Sequence, residues 1–268
     1  MTDCKVENVV VAGKSGAGKQ PRIDVLVEEF GLTQLSTGNI FREYLGAYKK
    51  LGDDGNPEGL VDKGESLTDD EIRTALADAC EKHGVEIDSA VLGFKAALYV
   101  DQGLFVPDTI TNALFEAAFR KADGRGLALD GYPRTTDQAD FLLELAKSMG
   151  RKLDLIVIVD NEDEAIVART TGRRICPNKA CGKVFHLEFK PPRDGKFCTA
   201  CGTEVILRSD DTEEKIRKRL CEFQDKAKPA VDALASSGIP VGTVPGNLPV
   251  FTDEAVRESV MTAIAPLI

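Results

Sequence analysis

No stretch of this chain approaches the roughly 18 uninterrupted apolar residues of a membrane-spanning helix, which excludes a transmembrane segment. Met1-Thr2-Asp3-Cys4-Lys5 lacks the basic start and long apolar run of a secretory leader, so the cytoplasm is the expected compartment. Positive charge is scarce as well: 34 Lys and Arg face 44 Asp and Glu, a formal net charge of −10. A field of that sign repels polyanions and argues against nucleic acid or an anionic membrane as a partner. Any phosphate ligand must then be met by arginines gathered locally. The 268 residues suffice for one large domain, or for a core carrying two small insertions. A monomer is the expected state.

Seven cysteines are present, and four of them cluster between Cys176 and Cys201. In a reducing compartment such a cluster reads as a metal site rather than as disulfides. Cys176-Pro-Asn-Lys-Ala-Cys181 is followed, after 16 residues, by Cys198-Thr-Ala-Cys201. Two such pairs suit tetrahedral zinc held by four thiolates, a closed shell with no position left for catalysis. His186 is an alternative ligand, and a nucleic-acid-binding zinc ribbon is a rival reading that the acidic balance disfavours. Cys4, Cys80 and Cys221 are scattered and read as small apolar residues.

Along the chain, Val6 to Ala12 is a short apolar run ending at Gly13 and predicts a buried strand. A glycine-rich turn follows, and Ile23, Leu26, Val27 and Phe30 then take helical spacing. Leu127-Ala128-Leu129 leading into Asp130, and Leu153 to Val159 leading into Asp160, predict two more buried strands, each followed by a helical pattern. The alternation implies an α/β fold with a parallel sheet covered by helices on both faces and ligands at the carboxyl ends of the strands. An internal repeat is visible: Asp62-Lys-Gly-Glu-Ser-Leu-Thr-Asp69 resembles Asp101-Gln-Gly-Leu-Phe-Val-Pro-Asp108, 39 residues later, and each precedes an alanine-containing helix. This reads as an extra lobe on one inserted domain.

Gly13-Lys14-Ser15-Gly16-Ala17-Gly18-Lys19 fits the glycine and lysine positions of a phosphate-binding P-loop. There the glycines let backbone N–H groups wrap a phosphate, the helix N-terminus adds partial positive charge, and the lysine reaches the outer phosphates. The motif breaks at its end: Gln20 and Pro21 stand where a serine or threonine hydroxyl should lie. Proline is sterically acceptable in the first turn of a helix, so the fold survives while full catalytic strength is put in doubt.

At this point the chain resembles the adenylate kinase family over most of its length. The resemblance rests on the P-loop, Leu35-Ser-Thr-Gly-Asn-Ile-Phe-Arg42, Gly103-Leu-Phe-Val-Pro-Asp108, Leu129-Asp-Gly-Tyr-Pro-Arg134 with Gln138, the cysteine segment with Val184-Phe-His186 and Lys190-Pro-Pro192, and finally Arg208-Ser-Asp-Asp211 and Arg217-Lys-Arg219, in that order. It implies a P-loop core (1–36, 109–172 and 210–268), an inserted domain for the nucleoside monophosphate (37–108) and a zinc-binding lid (173–209). The implied reaction is reversible, magnesium-dependent phosphoryl transfer between ATP and AMP, giving two ADP. ATP would meet the loop residues Gly13, Lys14, Ser15, Gly16, Ala17, Gly18, Lys19 and Gln20 together with Arg169 and Arg173. AMP would meet Thr37, Arg42, Leu104, Val106, Gly131, Arg134, Gln138, Arg208 and Arg219, with Gln138 reading the adenine edge. Lys19, Arg134, Arg169, Arg208 and Arg219 would surround the moving phosphoryl group, and Asp130 would hold waters of magnesium. Phosphoryl transfer depends mainly on positioning and charge neutralisation, which a ring of arginines supplies.

Other readings stay open at individual residues. Arg217 and Arg219 could lie on a solvated face, Asp210-Asp211 could cap a helix or act at a hinge, Gln138 could be an ordinary helix residue, and Tyr132 should pack. Asn39 departs from the family's aspartate, and of the two repeats the later is expected to be the working copy because it keeps Val-Pro-Asp. The rival functions are a kinase for another monophosphate and a catalytically weakened nucleotide-binding protein acting through partners.

Overall fold

The computed structural model describes residues 6–56, 60, 67–102, 104–178, 180–208 and 211–268. Cys4, most of the earlier repeat (Asp62 to Ser66), Gly103 and Ser209-Asp210 lie outside the described residues.

Five parallel strands form one sheet: β1 (Asn8–Ala12), β2 (Thr33–Ser36), β3 (Leu127–Asp130), β4 (Leu155–Asp160) and, after a pair in another sheet, β7 (Val241–Pro245), ordered β2-β3-β1-β4-β7. The expected parallel sheet is present, with two strands beyond the three predicted. The three inner strands, β1, β3 and β4, are apolar on both faces because both are covered. Val9 and Val11 of β1, Ala128 of β3, and Leu155, Val157 and Val159 of β4 enter one apolar cluster; Val10, Leu127, Leu129 and Ile156 enter another on the opposite face. The first cluster is closed by α1 (Lys19–Phe30), α7 (Asp163–Thr171), α8 (Glu213–Glu222) and α10 (Asp253–Ile264). The second is closed by α2 (Thr37–Lys49), α5 (Asp108–Lys121), α6 (Thr136–Ser148) and α9 (Lys228–Ser236). Buried Asn8 ties the base of the sheet: its side chain donates to the Gly124 and Lys152 carbonyls at 2.9 and 2.8 Å and accepts from the Leu127 N–H.

Two further helices, α3 (Asp69–His83) and α4 (Ile87–Val100), follow α2. The helices that follow the two repeats are α3 and α5, and each begins on the repeat's terminal aspartate. Their settings differ. α5 packs under the sheet, while α3 packs against α4 around a separate cluster of Leu51, Leu60, Ile72, Leu76, Ala79, Cys80, Ala90, Val91 and Phe94. Gly93 lets α4 press on α2, since a Cβ there would collide with the Tyr44 carbonyl oxygen. A small antiparallel pair, β5 (Arg173–Ile175) with β6 (Val184–His186), heads the cysteine segment. No helix among the described residues is long and apolar enough to cross a membrane.

Candidate active site

The carboxyl ends of β1, β2, β3 and β4 lie along one edge of the sheet; the loops after β1 and β3, the start of α2 after β2 and helix α7 after β4 carry predicted site residues. The sheet order reverses on either side of β1, the position where α/β folds open a crevice. The P-loop leaves β1 there. Gly13, Gly16 and Gly18 all have positive φ, and Gly18 caps α1 in the left-handed region, where a side chain would be strained. α1 starts at Lys19, so Pro21 falls in its first turn and breaks no helical bond. It nevertheless removes one backbone donor as well as the hydroxyl.

Lys19 is folded back over its loop, its Nζ donating to the Gly13 and Lys14 carbonyl oxygens at 2.9 and 3.2 Å. Burial holds its ammonium below the usual lysine range; the Asp130 charge pulls it back up and Arg134 lowers it further. Lys19 therefore feels charges carried by the end of β3 and the loop after it. Lys14 is turned away from the crevice, bridging to Asp163 at 2.7 Å and to the Asn161 carbonyl at 3.1 Å.

Two glycines mark where anions would sit. A Cβ built on Gly18 would lie 2.8 Å from the Gly246 carbonyl oxygen, 3.0 Å from Arg169 Nη1 and 3.4 Å from Arg22 Nη1. One built on Gly131 (φ 77°) would lie 3.0 Å from Arg134 Nη2 and 3.3 Å from Thr37 Oγ1. Each glycine thus lets its loop backbone lie close against a guanidinium, where a side chain would collide. On the Gly131 side, Arg134 Nε donates to the Gly131 carbonyl at 2.8 Å, Thr37 Oγ1 donates to the Asp130 carbonyl at 3.2 Å, and Arg42 donates to Asn39. On the Gly18 side, burial lowers the Arg169 and Arg22 guanidiniums, and each also feels a like charge, Arg173 beside Arg169 and Arg169 beside Arg22. Like charges gathered this way in a net-acidic protein are suited to a polyanion.

Arg22 was not singled out from sequence. Its side chain is fully buried beneath the loop, donating to the Gly18 and Pro245 carbonyls at 3.3 and 2.6 Å and lying 5.4 Å from the Phe251 ring centroid. Gln138 is also buried. Its Nε2 donates to Asp108 at 2.6 Å and its Oε1 accepts from the Arg134 N–H at 2.8 Å, while Thr135 donates to the other Asp108 oxygen. Asp108, the end of the later repeat, thus orients Gln138, a role given by tertiary proximity rather than by any local pattern. Val106 packs on the second cluster, whereas Leu104 is exposed. Tyr132 packs as expected, stacked on Phe115 at 3.8 Å, with its hydroxyl on Asn112.

The lid's approaches carry the remaining arginines. Arg173 forms a fork with fully buried Asp211, Nε and Nη2 lying 2.8 and 2.7 Å from its two oxygens. Thr212, not Asp211, is the N-cap of α8, so Asp211 serves the pair with Arg173 rather than the helix start. Arg219 Nη1 reaches Ser15 Oγ at 3.4 Å, bringing α8 against the P-loop. Arg217 points elsewhere, forked onto Glu164 and bonded to Glu213, as expected for a solvated face. Arg208 is exposed at the end of the cysteine segment.

In that segment the four sulfurs all lie within 4.8 Å of one another, with Cys176–Cys201 at 3.4 Å and Cys181–Cys198 at 3.6 Å. A tetrahedral ion with ligands at about 2.3 Å sets its sulfurs about 3.8 Å apart, so the group fits a Zn²⁺-sized ion. The Thr203 hydroxyl holds the Cys201 thiol down, to about 6, while burial pushes Cys176 up to about 12. His186 stands outside the set: its ring stacks on Phe189 and its Nδ1 accepts from the Glu188 and Phe189 N–H groups.

An all-parallel sheet in this order, with a glycine loop and lysine at the end of its first strand and arginines on the facing loops, defines a P-loop nucleotide-binding phosphotransferase. The model of the family described as adenylate kinase matches residues 84–239. The adenylate kinase of Symbiobacterium thermophilum is 34% identical over 258 residues, covering 94% of this chain and 99% of that protein. Those of Caldanaerobacter subterraneus subsp. tengcongensis and Clostridioides difficile are each 33% identical, over 89% and 86% of this chain. The chain belongs to the adenylate kinase family.

Proposed function

We propose that this chain transfers a phosphoryl group reversibly between ATP and AMP, with ATP phosphates over the P-loop and the AMP phosphate at Gly131. The observation that carries this reading is the pair of arginine-bearing sides at one edge of the sheet: Gly18 against Arg169 and Arg22, and Gly131 against Arg134 and Thr37. Guanidiniums on both sides of one lysine suit the phosphates of a donor and an acceptor. Lys19 would turn from its loop carbonyls to the transferring group, and Arg134 and Arg219 would neutralise the spread charge of the transition state. Gln138, aimed by Asp108, would read the adenine edge of AMP, with Leu104 and Val106 as walls. Arg42 and Arg208 would complete the grip on the phosphates.

Magnesium would accompany ATP near Asp130, a carboxylate whose hard oxygens suit that ion. Bound there it would neutralise phosphate charge and orient the leaving oxygen. Cys176, Cys181, Cys198 and Cys201 would hold zinc and so fix the shape of the lid, whose closure would exclude water. A coupled assay of purified protein with ATP, Mg²⁺ and each of AMP, CMP, GMP and UMP tests the reading. ADP formation with AMP well above the others is expected; equal or better use of another monophosphate, or ATP binding without turnover, overturns it.

A further inference from the structure

Gln20 was read from sequence as a defect, yet its amide does not stand idle. Gln20 Nε2 donates to Gln34 Oε1 at 3.0 Å, and Gln34 Nε2 donates back to Gln20 Oε1 at 3.2 Å. Each amide also donates outward, Gln20 to Asp24 Oδ1 at 2.9 Å and Gln34 to Asp130 Oδ2 at 3.1 Å. A carboxylate accepts only, so the amide facing it must present its NH₂ group, which fixes the orientation of both amides. With two N–H donors on each nitrogen, all four donors of the pair are then used. The result is a closed chain from α1, through β2, to the end of β3.

We propose that the Gln20–Gln34 amide pair is a positioning device that replaces the missing P-loop hydroxyl by holding the Asp130 carboxylate in place for the hydrated divalent cation that accompanies ATP. The proposal rests on the ATP side of the function proposed above and is independent of which monophosphate accepts. In a P-loop, a hydroxyl just after the lysine helps to fix the cation from the helix side. Here Pro21 offers neither hydroxyl nor N–H, and the same side of the site is instead joined to Asp130 through two amides. Partners that orient a group bound to a metal typically change metal affinity by roughly 10-fold or more when removed. Pro21 and Gln20 then act together: the first removes a contact, and the second supplies a substitute by a different route.

The test is calorimetric titration of ATP into the full chain, with Mg²⁺ and again with EDTA, so that the gain in affinity due to the metal is read apart from ATP binding itself. Gln34→Leu, which keeps bulk but breaks the chain, should cut the metal-dependent gain roughly 10-fold and leave metal-free ATP affinity unchanged. Gln20→Gly should reduce the gain in the same direction, and Gln20→Gly with Pro21→Thr should restore it by returning the hydroxyl. Thermal unfolding of each variant is recorded beside the titration. An unchanged gain in Gln34→Leu, an equal loss with and without metal, or a wild-type chain with no metal-dependent gain overturns the proposal. A chain that binds MgATP as described but fails to phosphorylate AMP would overturn the proposed function and leave this inference standing.

Discussion

Lys19 carries the heaviest demand made of any one side chain here, because its ammonium is buried against its own loop with arginines near by. A lysine pKa depressed by folding destabilises the folded state while the group is charged. That penalty is complete below the folded pKa and fades as the pH rises from there to the unfolded value. Lys19→Met should therefore lower turnover about a hundredfold or more and yet melt no lower than wild type at neutral pH. Any gain in melting temperature should shrink in alkaline buffer, and a scan of melting temperature against pH for both proteins checks the sign. Much of this residue scale was legible in the sequence, since Gly13 to Lys19 and Leu129 to Arg134 are local patterns with local reasons. Gln34, Asp108 and Arg22 were not. A polar residue in a short strand, an aspartate at a helix start and an arginine in a P-loop helix look ordinary until the fold sets them against Asp130, Gln138 and the Pro245 carbonyl.

Among elements, β1, β3 and β4 could be read from continuous apolar runs, while β2 (Thr-Gln-Leu-Ser) and β7 (Val-Gly-Thr-Val-Pro) could not. The first is too polar and the second too rich in turn residues, and both are strands because they complete the two edges of the sheet. The four-cysteine segment was legible from its spacing alone. Its apolar cluster is only Cys176, Phe185, Cys198 and Val205, with Cys181 alongside, too little to fold a segment without help. Purified protein should carry about one zinc per chain by elemental analysis, and Cys198→Ala should abolish tight zinc binding and lower the lid's unfolding temperature. Asp211→Ala should cost on the order of 3 kcal/mol by urea unfolding, because it leaves Arg173 without its buried partner. The contact between α2 and α4 is similarly exacting. Gly93→Ala should destabilise the protein by about 1–3 kcal/mol, seen in thermal unfolding, as the helices part to admit one methyl group.

At the scale of the whole molecule, the apolar interior is not continuous. Among the described residues, two clusters sandwich the sheet, a third lies between α3 and α4 and the turn before them, and the cysteine segment holds a fourth. The sequence hinted at this partition through its duplicated stretch and favoured the later copy by its Val-Pro-Asp; in the structure α5 begins at Asp108 beside Gln138, while α3 caps itself with a Thr68–Glu71 box. A pad with its own small core can open by itself. Amide hydrogen exchange should therefore find α3 protected by less free energy than β1 or β4, opening in a separate step while the strands stay closed. Such a pad also isolates its surroundings from genetic change. Substitutions at Ile72, Leu76 or Val91 should alter abundance and protease resistance long before they alter catalysis, leaving the lineage free to vary the flank of this enzyme while its crevice stands still.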